Sequence, residues 1–314
     1  MKPIISLSTS YLQRDWRNDG YGMLQEAATL GYEYVELGHS TPIAAIEGIL
    51  KAVSEGVVKV SSTHNFCPMP PFIFNAAPDL YSPSTKSKIE SAQWQRHTKT
   101  SIDFAKSTGA KAIVCHIGSL SYFFSRPDSK LIPFLEKKDY ASLVGNANYT
   151  MLVEKFLRLA KKRSIKNYKN TFKNFNSIIE LAKAANLELC IENREHPSAL
   201  PTDQTFPELM QMFADIPQVN AWHDVGHSKI RELSQLGNQL EFAETILPYQ
   251  RGWHLHDCSE NGKDHIAIGK GIIDFRGLSK FFDKEKHIFT LELNNHAVSR
   301  KEAADSLKRI QDLL

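Results

Sequence analysis

The sequence has few of the features that mark membrane, disulfide-rich or dinucleotide-binding proteins. No apolar run approaches the roughly 18 residues that a membrane span needs, and no long apolar segment of the signal-peptide kind opens the chain. The four cysteines include no Cys-x-x-Cys pair, which excludes a zinc ribbon or a redox motif of that kind. A Gly-x-Gly-x-x-Gly turn is absent after the first predicted strand, which argues against a Rossmann domain. A cytoplasmic globular protein is therefore the expectation.

The composition is that of an ordinary folded protein with a weak net charge. Of the 314 residues, 42% are hydrophobic and 23% are charged, and 38 basic against 35 acidic side chains give a formal charge of +3. This excess is too small to predict nucleic-acid binding by itself. The length suits a single domain over residues 1–314, since a barrel of about 250 residues leaves room for an insertion.

Short β-rich runs alternate with helical patterns along the whole chain. Predicted helices separate eight predicted strands, which lie at residues 4–8, 32–37, 57–63, 111–116, 187–192, 219–224, 251–256 and 288–293. This alternation is typical of parallel βα units, and eight is the number of strands that closes a barrel. The sequence therefore predicts an α/β fold of the (β/α)8 TIM-barrel type, with an open doubly wound sheet as the alternative.

The longest departure from the repeat follows the fourth predicted strand. Residues 119–165 form an insertion with an irregular stretch and an extra helix around 152–162. Because segments after a barrel strand lie on the face that carries active sites, the insertion is predicted to be a lid or an interface beside the mouth. Its aromatic residues Tyr122, Phe123 and Phe124 are candidates for shielding a substrate from water, with packing in the core or between subunits as the alternative.

Histidine and carboxylate side chains collect where the predicted strands end. Six of the eight strands finish in such residues, among them His64, His116, Glu192, Asp224, His254, His256 and Glu292. In a barrel these ends converge on one mouth, where buried carboxylates are costly without a cation. Imidazole nitrogens and carboxylate oxygens are common ligands of divalent metals. The pattern therefore predicts a divalent metal site.

The motifs around these residues resemble those of the xylose-isomerase-like TIM barrels, a superfamily that includes sugar isomerases, ketose 3-epimerases, inosose enzymes and endonuclease IV. The resemblance covers nearly the whole chain through strand order. It is specific at Cys-His-Ile-Gly-Ser 115–119, Ile-Glu-Asn 191–193, His-Asp-Val-Gly-His 223–227, His-Leu-His-Asp 254–257 and Asp-His-Ile-Ala-Ile-Gly-Lys-Gly 264–271.

The resemblance implies a metal-dependent sugar, sugar-phosphate or inosose isomerase or epimerase that transfers a proton through a metal-stabilised enediolate. The alternative is an endonuclease IV-like metal-dependent phosphodiesterase that acts at abasic DNA sites. The nuclease has an Asp where Lys263 stands here, which puts a third zinc ion in doubt. A small carbohydrate is therefore the expected partner, rather than a membrane or a nucleic acid, and a homo-oligomer is compatible with the family.

The resemblance also implies roles for individual residues. It places one divalent metal ion, Mn, Mg, Zn or Co, on Glu192, Asp224, His254 and Glu292. Glu192 and Glu292 are expected to exchange the substrate proton, and His227 to orient a substrate hydroxyl. Residues for a second metal ion or for substrate are His64, His116, His256, Asp264 and His265, with His256 also a competitor of His254 as ligand. Candidates for substrate binding, with ordinary surface charge as the alternative, are Arg194, Lys263 and Lys270.

Overall fold

Eight parallel strands close into a barrel, as the alternation of predicted elements indicates. The structure, a computed structural model, describes residues 2–120 and 126–314. Each strand pairs in parallel with the next, and β8 pairs with β1 to close the ring. The strands are β1 Ile4–Ser8, β2 Tyr34–Leu37, β3 Lys59–His64, β4 Ala112–Cys115, β5 Glu188–Glu192, β6 Val219–Asp224, β7 Gln250–Leu255 and β8 Ile288–Leu291. The predicted TIM barrel is confirmed.

The helices follow the strands and cover the outside of the barrel. Among the described residues, no helix is long and apolar enough to cross a membrane. The helices are α1 Gln13–Trp16, α2 Gly20–Thr29, α3 Ile46–Ser54, α4 Lys88–Thr108, α5 Ile132–Leu135, α6 Ala147–Asn176, α7 Ile179–Ala184, α8 Phe206–Met212, α9 Val225–Leu233, α10 Gln239–Ile246, α11 Phe275–Ser279 and α12 Arg300–Gln311.

The inside of the barrel has an apolar floor beneath a polar mouth. Small and apolar side chains from several strands form a buried cluster that comprises Ala112, Val114, Cys190, Trp222 and Ile288. Side chains two residues apart along a strand point the same way. The positions two residues beyond Val114, Cys190 and Trp222 are His116, Glu192 and Asp224. The strand period therefore places these polar side chains directly above the floor.

The helix that follows the insertion is longer than the sequence predicts. The prediction has an extra helix around 152–162, whereas α6 runs without interruption over 30 residues. The segment contains no glycine or proline, and one stripe of buried side chains recurs every three or four residues along it. Residue 165, where the predicted insertion ends, therefore lies inside α6, which leads through α7 to β5.

Two described residues of the insertion, Leu120 and Leu143, contact loops that follow barrel strands. The backbone N–H of Leu120 donates to the Ser198 carbonyl after β5 at 2.8 Å. The Gln235 side chain, just beyond α9, donates to the Leu143 carbonyl at 2.8 Å. These contacts lie at loops that follow β5 and β6. A role as lid or interface stays a prediction, and the aromatic residues at 122–124 lie outside the described residues.

A single carboxylate organises the loop between β7 and α11. Asp257 is buried, and its two oxygens accept four backbone N–H groups at 2.9–3.1 Å, those of Cys258, Gly269, Gly271 and Ile273. The fit is close, because a Cβ atom on Gly271 would lie 2.4 Å from Asp257 Oδ1. Asp257 therefore ties the two ends of the loop to the end of β7.

Replacement of Asp257 by Asn should destabilise the fold. The change turns one acceptor oxygen into an NH2 group that faces two backbone donors, so we expect the free energy of unfolding to fall by about 2–4 kcal/mol. Urea denaturation measures the effect. The control is Asp305→Asn, which removes only an exposed charge 3.9 Å from Lys308 and should change little. Equal stability of the two variants would contradict the role of Asp257.

Candidate metal centre

Four side chains from β5 to β8 meet at the mouth of the barrel. Glu192 and Asp224 end β5 and β6, His254 lies on β7, and Glu292 directly follows β8. One ligand atom from each lies within 4.8 Å of the others. His254 Nδ1 is 2.7 Å from Glu192 Oε1, 3.2 Å from Glu292 Oε2 and 3.9 Å from Asp224 Oδ2. The structure therefore brings the four predicted residues, called the quartet below, together around one imidazole nitrogen.

The charges of the quartet stabilise one another in spite of burial. Burial opposes the charged form of His254, but the carboxylates of Glu36, Glu292 and Glu192 outweigh it and raise the pKa of His254 well above its ordinary value. Burial also opposes the charged form of Glu292 and raises its pKa. The charge of His254 and a hydrogen bond with His265 outweigh burial, so the pKa of Glu292 lies well below its ordinary value. The mouth is therefore a site where buried carboxylates require a positive charge among them.

The quartet fits a divalent cation by its chemistry. Three carboxylates and one imidazole form an oxygen-rich donor set, which suits Mn²⁺ or Mg²⁺ and is also acceptable to Zn²⁺ or Co²⁺. Exposure is 9% for Glu292 and 1% or less for the other three residues, so solvent screens their mutual repulsion poorly. A cation among these donors would replace the proton that holds His254 Nδ1 and the carboxylates together.

Glu36 holds His254 from the side opposite the quartet. This carboxylate is fully buried on β2. Its Oε1 accepts from the His254 Nε2–H at 2.9 Å, and its Oε2 accepts from the Ser62 hydroxyl at 2.7 Å. With a proton on Nε2, His254 can present the Nδ1 lone pair to a metal ion. Carboxylates in this position commonly orient metal-binding histidines and raise their basicity.

A second group of donors shares Glu192 with the quartet. The Nε2 atoms of His64 and His116 lie 3.4 Å and 2.7 Å from Glu192 Oε2. On the far side of each ring, His64 Nδ1 is 3.0 Å from the Asn65 carbonyl, and His116 Nδ1 is 3.1 Å from Asp79 Oδ1. Both imidazoles are therefore oriented with Nε2 inward, and together with Glu192 they could hold a second cation.

Arg194 joins the mouth through two carboxylates. Its Nη1 lies 3.3 Å from Asp79 Oδ2, and its Nε lies 3.3 Å from Glu195 Oε2. The same guanidinium group contacts the ring of His116. Arg194 is therefore held at the mouth, where the sequence analysis expects it to meet substrate.

His227, at the start of α9, faces the carboxylate of Glu195. Its Nδ1–H donates to the Asn193 carbonyl at 3.1 Å, and its Nε2 lies 3.3 Å from Glu195 Oε2. The backbone N–H of His227 also donates to Asp224 Oδ1 at 2.7 Å, which caps the start of the helix. The helix start therefore fixes both His227 and one member of the quartet.

The residues of the β7–α11 loop divide into two sets. His265 Nδ1 lies 3.1 Å from Asp264 Oδ1, and its Nε2 lies 3.8 Å from Glu292 Oε2, so these two residues reach the mouth. Lys263 is exposed, and Lys270 Nζ lies 3.7 Å from Glu302 Oε1 on α12. The alternative interpretation as surface charges therefore fits the two lysines better than substrate binding does.

Four side chains of the mouth are absent from the residues that the sequence analysis selects, namely Glu36, His39, Asp79 and Glu195. Glu36 could have been selected because it is a charged residue within the short, mostly buried strand β2. His39 follows the same strand, and its ring lies edge-on to His64 with 4.7 Å between ring centroids. Asp79 lies in the proline-containing loop between β3 and α4, where no periodic pattern indicates the direction of a side chain.

Comparison with known proteins identifies the family. The model of the xylose isomerase-like TIM barrel family matches residues 24–313. The chain belongs to this family. An uncharacterized protein of Methanocaldococcus jannaschii is 22% identical over 316 residues, which cover 98% of each chain.

Solved structures of three sugar epimerases superpose over 99–100% of this chain. A D-psicose 3-epimerase from Clostridium cellulolyticum H10 has a TM-score of 0.68 at 12% identity and covers 100% of this chain and 99% of its own. A 3-keto-D-glucoside 4-epimerase from E. coli has 0.66 at 13%, covering 99% and 100%. A D-allulose 3-epimerase from Methylomonas sp. has 0.67 at 10%, covering 100% and 98%. At these identities the similarity demonstrates a shared fold.

Replacement of Glu36 by Gln should weaken metal binding at the quartet. Gln keeps a hydrogen-bonding group beside His254 but removes the charge that favours a proton on Nε2. We expect the Mn²⁺ dissociation constant to rise about 10- to 100-fold, as measured by isothermal titration calorimetry. The matched control is Glu33→Gln, just before the same strand, where the side chain is exposed and pairs with Lys2. Equal Mn²⁺ affinity in both variants would contradict the role of Glu36.

Proposed function

We propose that this protein is a divalent-metal-dependent carbohydrate isomerase or epimerase that moves a proton at a carbon next to a carbonyl group. The observation that carries the proposal is the pair of carboxylates, Glu192 and Glu292, that approach His254 Nδ1 within one buried quartet. The names of the similar structures support it, because those proteins are sugar epimerases.

The residues of the quartet would hold the cation. When bound, a divalent cation supplies Lewis-acid polarisation of a carbonyl oxygen. Glu292 is the better placed of the two glutamates to exchange a proton with substrate, because Glu192 is 1% exposed and contacts imidazoles through both of its oxygens. Glu292 is more accessible, at 9% exposure. In this assignment Glu292 acts first, and Glu192 serves as the second carboxylate.

Two further residues would bind the substrate. His227, held by the hydrogen bond from its Nδ1–H to the Asn193 carbonyl, would orient a substrate hydroxyl through a hydrogen bond at Nε2, beside Glu195 Oε2. Arg194 can donate to a substrate oxygen while Asp79 and Glu195 hold its guanidinium group. Together they would orient the substrate for proton transfer.

A metal-dependent phosphodiesterase is the second candidate function. One specific observation favours it, namely the group of His64, His116 and Glu192 beside the quartet. Two-metal hydrolases hold ions about 3.5–4 Å apart that clamp the attacking and leaving oxygens. A carboxylate shared between two donor groups, as Glu192 is here, is compatible with such a pair.

Replacement of Glu292 by Gln should abolish epimerase activity and leave the fold intact. The change removes a ligand charge and a proton acceptor at the mouth, so we expect kcat to fall at least about 100-fold together with weaker metal binding. Turnover of the reacting ketose and metal analysis of the purified variant measure the two effects. Undiminished metal content with full turnover would mean that Glu292 has neither role.

The two candidate functions differ in substrate and in metal content. We expect metal analysis of the purified protein to find a single divalent ion per chain. We expect the same protein to convert a member of a panel of ketoses and inososes. The same preparation should leave a DNA duplex with one abasic site intact. Cleavage of that duplex by a protein that retains two or more zinc ions would contradict the first candidate and favour the second.

A further inference from the structure

We propose that His256 is a positioning residue that orients Asp224, and that it is not a metal ligand. The inference rests on the metal centre of the proposed function. By distance alone His256 could be a metal ligand, because Asp224, His256 and His265 form a third group whose ligand atoms lie within 4.8 Å of one another. His254 and His256 are also two residues apart, so the strand period does not distinguish between them.

The hydrogen bonds of His256 use both of its ring nitrogens. Its Nδ1 accepts the backbone N–H of His265 at 2.8 Å. A neutral imidazole has one N–H group, so the proton is on Nε2. That Nε2 lies 3.1 Å from each carboxylate oxygen of Asp224 and donates to it. No lone pair of His256 is therefore left for a metal ion.

The orientation of the two rings in the third group leads to the same conclusion. His256 and His265 stack with 3.9 Å between ring centroids and 12° between ring planes. A metal ion lies close to the plane of each imidazole that binds it, because the nitrogen lone pair lies in that plane. Two nearly parallel planes meet only far from both rings, so one ion cannot bind both histidines in this arrangement.

The surroundings hold the ring of His256 in place. The side chain is fully buried, and a Cβ atom on Gly226 would lie 1.9 Å from His256 Cε1. Asp224 is then held by two donors, the Nε2–H of His256 and the backbone N–H of His227. Outer donors of this kind orient a metal-binding carboxylate.

The two histidines of the His-Leu-His segment therefore have different roles. His254 donates its Nε2–H to the carboxylate of Glu36 and directs Nδ1 into the quartet. His256 directs a donor, not a lone pair, at a quartet residue. The backbone N–H of His265 causes the difference. Because it donates to Nδ1 of His256, the proton of that ring lies on Nε2, which faces Asp224.

Titration with Co²⁺, whose visible absorption reports its ligands, tests the assignment on the full-length protein. His256→Gln keeps the hydrogen-bonding pattern, because the amide oxygen can accept the His265 N–H and the NH2 group can donate to Asp224. We expect this variant to bind the same number of Co²⁺ ions as the unaltered protein, with the same absorption bands. His256→Leu removes both bonds and should raise the Co²⁺ dissociation constant about 10- to 100-fold without loss of a site.

Further variants supply the controls. His254→Gln should lose Co²⁺ at the quartet, and Lys270→Gln, on the surface, should behave as the unaltered protein does. Should His256→Leu fail to fold by circular dichroism, Gly226→Ala takes its place, because the added methyl group displaces the ring of His256. It should weaken Co²⁺ binding by a similar factor.

Two results for the variants of this position would overturn the assignment while leaving the metal centre in place. Loss of one Co²⁺ ion or a shift of the absorption bands in His256→Gln would make His256 a ligand. Unchanged affinity in His256→Leu, or in Gly226→Ala if that variant replaces it, would remove the positioning role. Failure of the unaltered protein to bind Co²⁺ would overturn the metal centre as well. Absence of ketose turnover with Co²⁺ binding as expected would contradict the proposed function alone.

Discussion

The burial of three carboxylates around one imidazole is the constraint on which the mouth of this barrel depends. Glu192, Asp224 and Glu292 would repel one another in a site that solvent barely reaches, and His254 supplies the positive group between them. The neighbouring side chains stabilise this buried arrangement of charges. Nearly every one of them either donates a hydrogen bond to a quartet carboxylate or fixes the imidazole that does.

The outer partners of the quartet come from segments that are remote in sequence. Glu36 on β2 holds His254, the start of α9 donates to Asp224, and His116, itself held by Asp79, approaches Glu192. Carboxylate and imidazole groups alternate outward from Glu192, through His116 to Asp79. Such networks fix the direction of each lone pair and proton, which is what a metal-binding site requires.

Regular periods in the sequence are sufficient to predict the barrel and the convergence of polar strand ends on its mouth, whereas the choice of the four quartet residues is what the resemblance to the xylose-isomerase-like barrels implies. Strands and helices alternate eight times, and polar residues at strand ends must converge when a parallel barrel closes. The outer partners follow no such rule. Asp79 lies in a loop without periodicity, and Glu36 belongs to no recognisable motif. The extent of α6 was underestimated because a polar and basic stretch hides its buried stripe.

The two histidines at the end of β7 show a different limit of sequence analysis. His254 lies on β7 and His256 directly follows the strand, two residues further on, so no pattern along the chain separates them. Their roles differ because of one backbone N–H in the loop that Asp257 ties down. That hydrogen bond depends on the tertiary path of residues 258–265, where His265 has a positive φ of 54°, and no local signal predicts it.

The quartet lies entirely in the second half of the barrel, on β5 to β8, while Glu36, His64 and His116 belong to the first half. Substitutions in the first half of the chain can therefore change groups that surround the quartet, such as Glu36, His64 and His116, without replacing any of its members.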